Sequence, residues 1–169
     1  SYLKGTKDLC ISSGKQNASA VGFTDANYVG HAESRKYTAG YVFTFTRTVS
    51  WISRLQKRVA LYITEAEHVA ATKACKEALW ISRLVGDLGV TELPVLHCDN
   101  QSVIMLTINP VFHAKMKQIQ VKYDFIRDVL DSKSIELVKV HTDDNFVDLL
   151  MKSLPAEQFA HCQQRTGVG

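Results

Sequence analysis

Residues that interrupt a folded chain are scarce here. Three prolines and nine glycines among 169 residues leave little room for a disordered or fibrous protein. No apolar run approaches the roughly 18–20 residues that cross a bilayer, so no membrane partner is expected. Ser1 to Thr6 carries a lysine and no apolar core, so no signal peptide is expected there. The four cysteines, Cys10, Cys75, Cys98 and Cys162, contain no C-x-x-C pair, which argues against a disulfide framework. His97-Cys98 and His161-Cys162 are adjacent pairs. Neighbours on a strand point to opposite faces, which argues against zinc; four reduced thiols are expected. A strong charge bias is also missing. The net charge of +3 permits nucleic acid as a partner without demanding it.

What is present is globular: 46% hydrophobic and 22% charged residues, at a length that suits one domain or one domain with a tail. Asn17 to Asp25 reads as a strand with Val21, Phe23 and Asp25 on one face. Thr38 to Phe45 is β-branched and aromatic. After the break Thr46-Arg47-Thr48, Val49 to Ile52 completes a hairpin. Thr64 to Leu88 reads as a long helix, with Ala66, Ala70, Ala74, Ala78, Ile81 and Val85 in one stripe and Gly86 or Gly89 at its end. Val95 to Asp99 is a short strand, Gln101 to Ile108 a helix, His113 to Asp131 another, and Ile135 to Val140 a strand. Asn145 to Lys152 reads as a helix facing Phe146, Leu149 and Leu150 inward, and Ala156 to Arg165 as a last helix. The order β-β-β-α-β-α-α-β-α implies three antiparallel strands followed by parallel ones joined through helices. That gives a mixed five-stranded α/β sheet with helices on both faces.

Several carboxylates fit this frame poorly. Asp25 lies on an apolar strand face, where a lone carboxylate costs several kcal/mol. Asp99 ends a strand without other charge, at the end where open α/β sheets bind ligands. Either acid also serves as a strand-end turn residue. Thr64-Glu65-Ala66-Glu67 is a capping box, which alone accounts for Glu67, although Glu67 shares the sheet-packing stripe. Asn145-x-x-Asp148 is likewise a capping arrangement. Glu65 is expected to face solvent. If the four acids converge, they form an oxygen-rich site for hard divalent cations of the kind that drive phosphodiester cleavage.

Many blocks now fall into a familiar order. Tyr2-Leu3-Lys4-Gly5-Thr6, Phe23-Thr24-Asp25-Ala26-Asn27, Ser34 to Phe43 (SRKYTAGYVF), Val49-Ser50-Trp51, Leu55-Gln56-Lys57, Ala60-Leu61, Thr64 to Glu67 (TEAE), Lys76 to Trp80 (KEALW), Cys98 to Ser102 (CDNQS) and Val147 to Lys152 (VDLLMK) run in sequence. Together the chain resembles, nearly end to end, the ribonuclease H domain of copia-type LTR retrotransposon polyproteins. It departs from the family pattern at Gln118, Gln120 and Asp124 in the Lys117–Phe125 block, at Thr46-Arg47-Thr48, at His68 and at Met151, which is the pattern of a drifting element copy.

The resemblance implies a ribonuclease H-like fold and endonucleolytic cleavage of the RNA strand of RNA–DNA hybrids, with two Mg²⁺ or Mn²⁺ ions. It implies residues 1–15 as the tail of a linker from a preceding reverse transcriptase, 16–153 as the nuclease domain and 154–169 as a C-terminal helical tail. Asp25, Glu67, Asp99 and Asp148 match the metal-binding catalytic acids. His141 matches a histidine that assists product release. Asn27, Arg35, Lys57, Thr64, Asn100 and Gln101 are implied hybrid contacts, Gln101 in the minor groove. Further basic residues, Lys36, Arg54, Arg58, Lys115, Lys117 and Lys122, suit a phosphate backbone. The implied partners are the hybrid and the reverse transcriptase of the same polyprotein, in a cytoplasmic virus-like particle or the nucleus. A non-catalytic nucleic-acid-binding or structural module derived from a retroelement is the alternative.

Overall fold

The computed structural model describes residues 19–27, 36–45, 47–56, 63–108 and 117–166. Strands β1 (Val21–Asn27), β2 (Thr38–Phe45) and β3 (Arg47–Leu55) precede helix α1 (Ile63–Asp87). Then come β4 (Val95–Cys98), α2 (Gln101–Ile108), α3 (Lys117–Asp131) and β5 (Glu136–Lys139). A 3₁₀ turn, Thr142–Asp144, leads to α4 (Asp148–Met151) and α5 (Ala156–Thr166). The strands form one sheet in the order β3-β2-β1-β4-β5. β1 to β3 pair antiparallel, and β4 pairs parallel with both β1 and β5. This is the mixed sheet that the sequence order implies.

Two apolar layers enclose the sheet. The alanine stripe of α1 (Ala66, Ala70, Ala71, Ala74, Ala78) is buried. Small side chains let the helix lie close to the strands. Around Ala71, Ala74 and Ala78 gather Phe43, Leu96 and Cys98 from the sheet, Val103 of α2, and Ile126 and Val129 of α3. On the other face Phe23 and Val42 pack against Phe146, Val147 and Cys162. The helix 154–169 was expected to form thus buries Cys162 in the core. α1 ends through Gly89, whose φ of +83° accommodates the reversal that returns Val90 N–H to the Val85 carbonyl.

Some boundaries differ from the sequence reading. β1 begins at Val21 and runs to Asn27 because it pairs along its length with β2, from Val21↔Thr44 to Asn27↔Thr38. β3 absorbs Arg47 and Thr48, which were read as a break, and shifts register opposite Phe43/Thr44. The helix expected from Asn145 is one turn, starting at Asp148. Phe146 and Val147 are drawn into the apolar layer, and Leu149 and Leu150 pack half-buried against it, inward as expected. Residues 1–18 and 113–116, and with them the proposed linker, lie outside the described residues.

Candidate active site

Strand pairing brings the first two acids together. Thr24 pairs with Cys98 in the parallel β1–β4 ladder, so the next residues, Asp25 and Asp99, stand side by side beyond it. Glu67 comes from the first turns of α1, which packs across β1 and β4. It is 8% exposed. Asp148, 3% exposed, opens α4 beneath the opposite face.

Electrostatics ties these groups to one another. Burial, then Asp99 and Asp148, push the Asp25 carboxyl up to about 7. Burial, then Asp25 and Asp99, push Glu67 up to about 8. Asp99 is raised by burial and by Asp148, against opposing hydrogen bonds from its own backbone, Thr142 and Asn145. Asp25 and Asp99 therefore form the centre, with Glu67 acting on it from the α1 side and Asp148 from the α4 side. Glu67 is held by an Asn100 hydrogen bond, yet its buried Oε2 has no partner among the described residues. Lys152 Nζ lies 2.7 Å from Asp148 Oδ2. Burial pulls that ammonium down, and Asp148, Asp25 and Asp99 together more than reverse it.

A ring of polar groups fixes the frame. Asn145 Nδ2 donates to the Thr24 carbonyl at 3.2 Å, and its Oδ1 accepts the Val147 N–H at 3.4 Å. Read from sequence as a helix cap, Asn145 instead ties the loop before Asp148 to β1 and also reaches Asp99. α4 is further held by Asn27 Nδ2 to the Met151 carbonyl at 3.2 Å and by Ser53 Oγ to the Leu150 carbonyl at 2.7 Å. Sequence reasoning missed Thr142, Ser53 and Lys152 in these roles. The signal that could have found this loop is its polar run, Thr142-Asp143-Asp144-Asn145.

The other site residues read from the sequence spread outward. Asn100 accepts the Val103 N–H at 3.3 Å, so it caps α2, and it also hydrogen-bonds Glu67. Asn27 likewise anchors α4. Gln101 is exposed at the rim, accepting a hydrogen bond from Lys139 at 3.1 Å. Thr64 is half-buried in the first turn of α1. Glu67 turns toward Asn100, Asp25 and Asp99, an orientation that a capping box does not account for. Glu65 is half-buried near Tyr123 and is not among the groups that act on Asp25; burial, then Glu65, push the Tyr123 hydroxyl up to about 12. His141 is not gathered among the acids. Its side chain is 75% exposed and its Nδ1 lies 3.4 Å from Asp143 Oδ2. Arg35 and Lys57 lie outside the described residues.

The donor set suits a hard divalent cation. Carboxylate oxygens that raise one another's pKa, one of them buried and unpartnered, are stabilised when a cation binds them. Three of the thiols are free and buried, as expected for reduced cysteines; Cys10 lies outside the described residues. One of the three nevertheless joins the site. Glu67, Cys98 and Asp99 each present a ligand atom, all within 4.8 Å of one another. Burial, opposed by an Asn100 backbone hydrogen bond and reinforced by Glu67, Asp99 and Asp25, pushes the Cys98 thiol up to about 12.

This fold recurs among solved structures. An N-terminal RNase H domain from Mycobacterium tuberculosis, solved as a maltose-binding-protein fusion, matches with a TM-score of 0.55 at 13% identity, over 88% of this chain and 99% of that one. LC11-RNase H1, solved in complex with an RNA/DNA hybrid, matches with a TM-score of 0.51 at 17% identity, over 75% and 88%. The fold is that of ribonuclease H. No family model matches the chain. Sequence relatives do. The retrovirus-related Pol polyprotein from transposon TNT 1-94 of Nicotiana tabacum is 40% identical over 99% of the chain. The one from transposon RE2 of Arabidopsis thaliana is 36% identical over 99%. The chain is homologous to retrovirus-related Pol polyproteins. It spans 13% and 12% of the length of these two relatives. In this chain the ribonuclease H-like sheet carries Asp25 and Asp99, and its flanking helices carry Glu67 and Asp148.

Proposed function

We propose that this chain is the part of a Pol polyprotein that acts as a metal-dependent endonuclease, cleaving the RNA strand of RNA–DNA hybrids during retrotransposon reverse transcription. The observation that carries this reading is the mutual repulsion of Asp25, Glu67 and Asp99 around a buried, unpartnered Glu67 oxygen. Such a site has a surplus of negative charge that a cation offsets. Asp25, Glu67, Asp99 and Asp148 would hold two Mg²⁺ or Mn²⁺ ions. When bound, a pair of such ions activates a water and stabilises the departing oxygen of a phosphodiester.

The chain's own residues do the rest. Asn100 orients Glu67, while Asn145 and Thr142 orient Asp99. Asn145, Asn27 and Ser53 hold the turn that presents Asp148. Gln101 and Lys139 at the exposed rim suit contact with a wide, shallow groove lined by 2′-hydroxyls. The hybrid found with LC11-RNase H1 supports the choice of substrate. The expected partner in the same polyprotein is a reverse transcriptase, and the expected setting a cytoplasmic virus-like particle or the nucleus.

A weakened, non-catalytic module is the second reading. The Lys152–Asp148 ion pair favours it, since the ammonium already neutralises the fourth acid. One assay separates the two. A labelled RNA–DNA hybrid is incubated with the protein with and without Mg²⁺. Metal-dependent cleavage of the RNA strand supports the nuclease; binding without cleavage at every metal concentration supports the module.

A further inference from the structure

Cys98 occupies a position that hard-cation chemistry does not use. Its side chain is 1% exposed and points to the α1 side of β4, where Leu96 and Cys98 both join the core. Its sulfur, a Glu67 oxygen and an Asp99 oxygen all lie within 4.8 Å of one another. A tetrahedral ion with sulfur and oxygen ligands at about 2.3 and 2.1 Å spaces those atoms roughly 3.6 Å apart. A closure of about 1 Å would therefore complete a three-ligand set. Glu67 supplies a second pointer to a ligand. It is more than nine-tenths buried, and its Oε2 lacks a partner among the described residues.

We propose that Cys98 Sγ, Glu67 and Asp99 form a mixed thiolate–carboxylate site that captures a thiophilic divalent cation, Zn²⁺ or Cd²⁺, and withdraws Glu67 and Asp99 from Mg²⁺. On binding, the S–H bond breaks, a sulfur–metal bond forms, and the proton passes to solvent. No oxidant or reductant takes part. Soft thiolate ligands favour Zn²⁺ and its congeners over Mg²⁺, which takes oxygen. The same two carboxylates cannot complete both sites, so the ions exclude each other. The inference rests on the reading of Glu67 and Asp99 as Mg²⁺ ligands.

Cadmium chloride is the probe, in the full chain with Cys10→Ser so that this thiol contributes nothing. Titration should produce the ultraviolet sulfur-to-cadmium charge-transfer band. Cys98→Ala and Cys98→Ser should each abolish it, with circular dichroism checking that at least one of them folds. Glu67→Gln should weaken Cd²⁺ binding at least about tenfold, and millimolar Mg²⁺ should raise the apparent Kd for Cd²⁺. A missing band, a band that survives both Cys98 substitutions, or a Cd²⁺ affinity indifferent to Glu67→Gln or to Mg²⁺ overturns the proposal. Failure of the nuclease reading alone would look different: no hybrid cleavage, with the Cys98-dependent band intact.

Discussion

Gly40 lies against Met151 so closely that a Cβ on the glycine would stand 2.8 Å from the methionine sulfur. It would also be 2.9 Å from Val147 Cγ1 and 3.2 Å from the Ile52 carbonyl. Gly40 pairs with Asp25 across β1 and β2, so one missing side chain lets the turn carrying Asp148 settle over the strand carrying Asp25. Gly40→Ala should destabilise the protein by about 1–3 kcal/mol through overpacking. It should also lower hybrid cleavage by displacing α4. Urea denaturation and the cleavage assay measure the two effects. A variant as stable and as active as the parent would mean that α4 has room to spare.

Asp25→Asn tests the centre of the acid cluster. The substitution keeps the shape and removes a charge that burial, Asp99 and Asp148 all disfavour. Cleavage should fall by at least about a hundredfold. The melting temperature at pH 8 should stay level or rise, because a repelled charge is gone. A strand-end turn aspartate would behave in the opposite way, losing stability and keeping activity. Full cleavage with a lowered melting point would therefore sink the catalytic assignment.

Stability should depend on pH and metal together. Asp25 and Glu67 titrate at about 7 and 8 in the fold, above their ordinary values of 3.8 and 4.5. Between those limits the folded chain holds more protons than the unfolded one, so stability falls as pH rises. His68 acts oppositely. Burial, then Lys122, hold it down at about 3 against an ordinary 6.5, so acidification below pH 6.5 destabilises the fold through it. The window from pH 6.5 to 8 isolates the acids. In EDTA the melting temperature should decline across that window. Millimolar Mg²⁺ should raise it most at the alkaline end, since ligand bound to the folded state alone stabilises it. A flat profile with no metal shift would mean that the acids form no joint site.

His68→Phe should stabilise the protein by about 1 kcal/mol. His68 is 1% exposed, and neither ring nitrogen has a hydrogen-bond partner among the described residues. Its ring centroid lies 3.8 Å from that of Tyr123, a contact a phenyl ring keeps. The gain should be largest near pH 5, where the unfolded histidine is charged. Denaturant midpoints at pH 5 and pH 8 check both the sign and the pH dependence. Equal or lower stability at pH 5 would show that the imidazole is satisfied in solution.

The sequence by itself determined the architecture. Alternation along Val21–Phe23–Asp25, the alanine stripe from Ala66 to Ala78 and the glycine at position 89 are local signals. Burial of one face per element turns them into strands, a sheet-packing helix and its end. Motif order supplied the homology, and with it the four acids as candidates. Tertiary structure decided what spacing left open. Thr64 to Glu67 fits a capping box in sequence, and only the packing of α1 across β1 and β4 aims Glu67 at Asp25 and Asp99. Asn145 and Asp148 also read as a cap. The burial of Phe146 and Val147 shortens that helix to one turn and sends the Asn145 amide to Thr24. Cys98 looked incidental because its strand neighbour His97 faces the other side, as it does here, and that rule says nothing of the residue after the ladder ends. There Asp99 leaves the pairing, and its carboxylate comes within reach of the sulfur. Long-range contacts of this kind depend on register and on how far one element slides over another, and no local pattern encodes either.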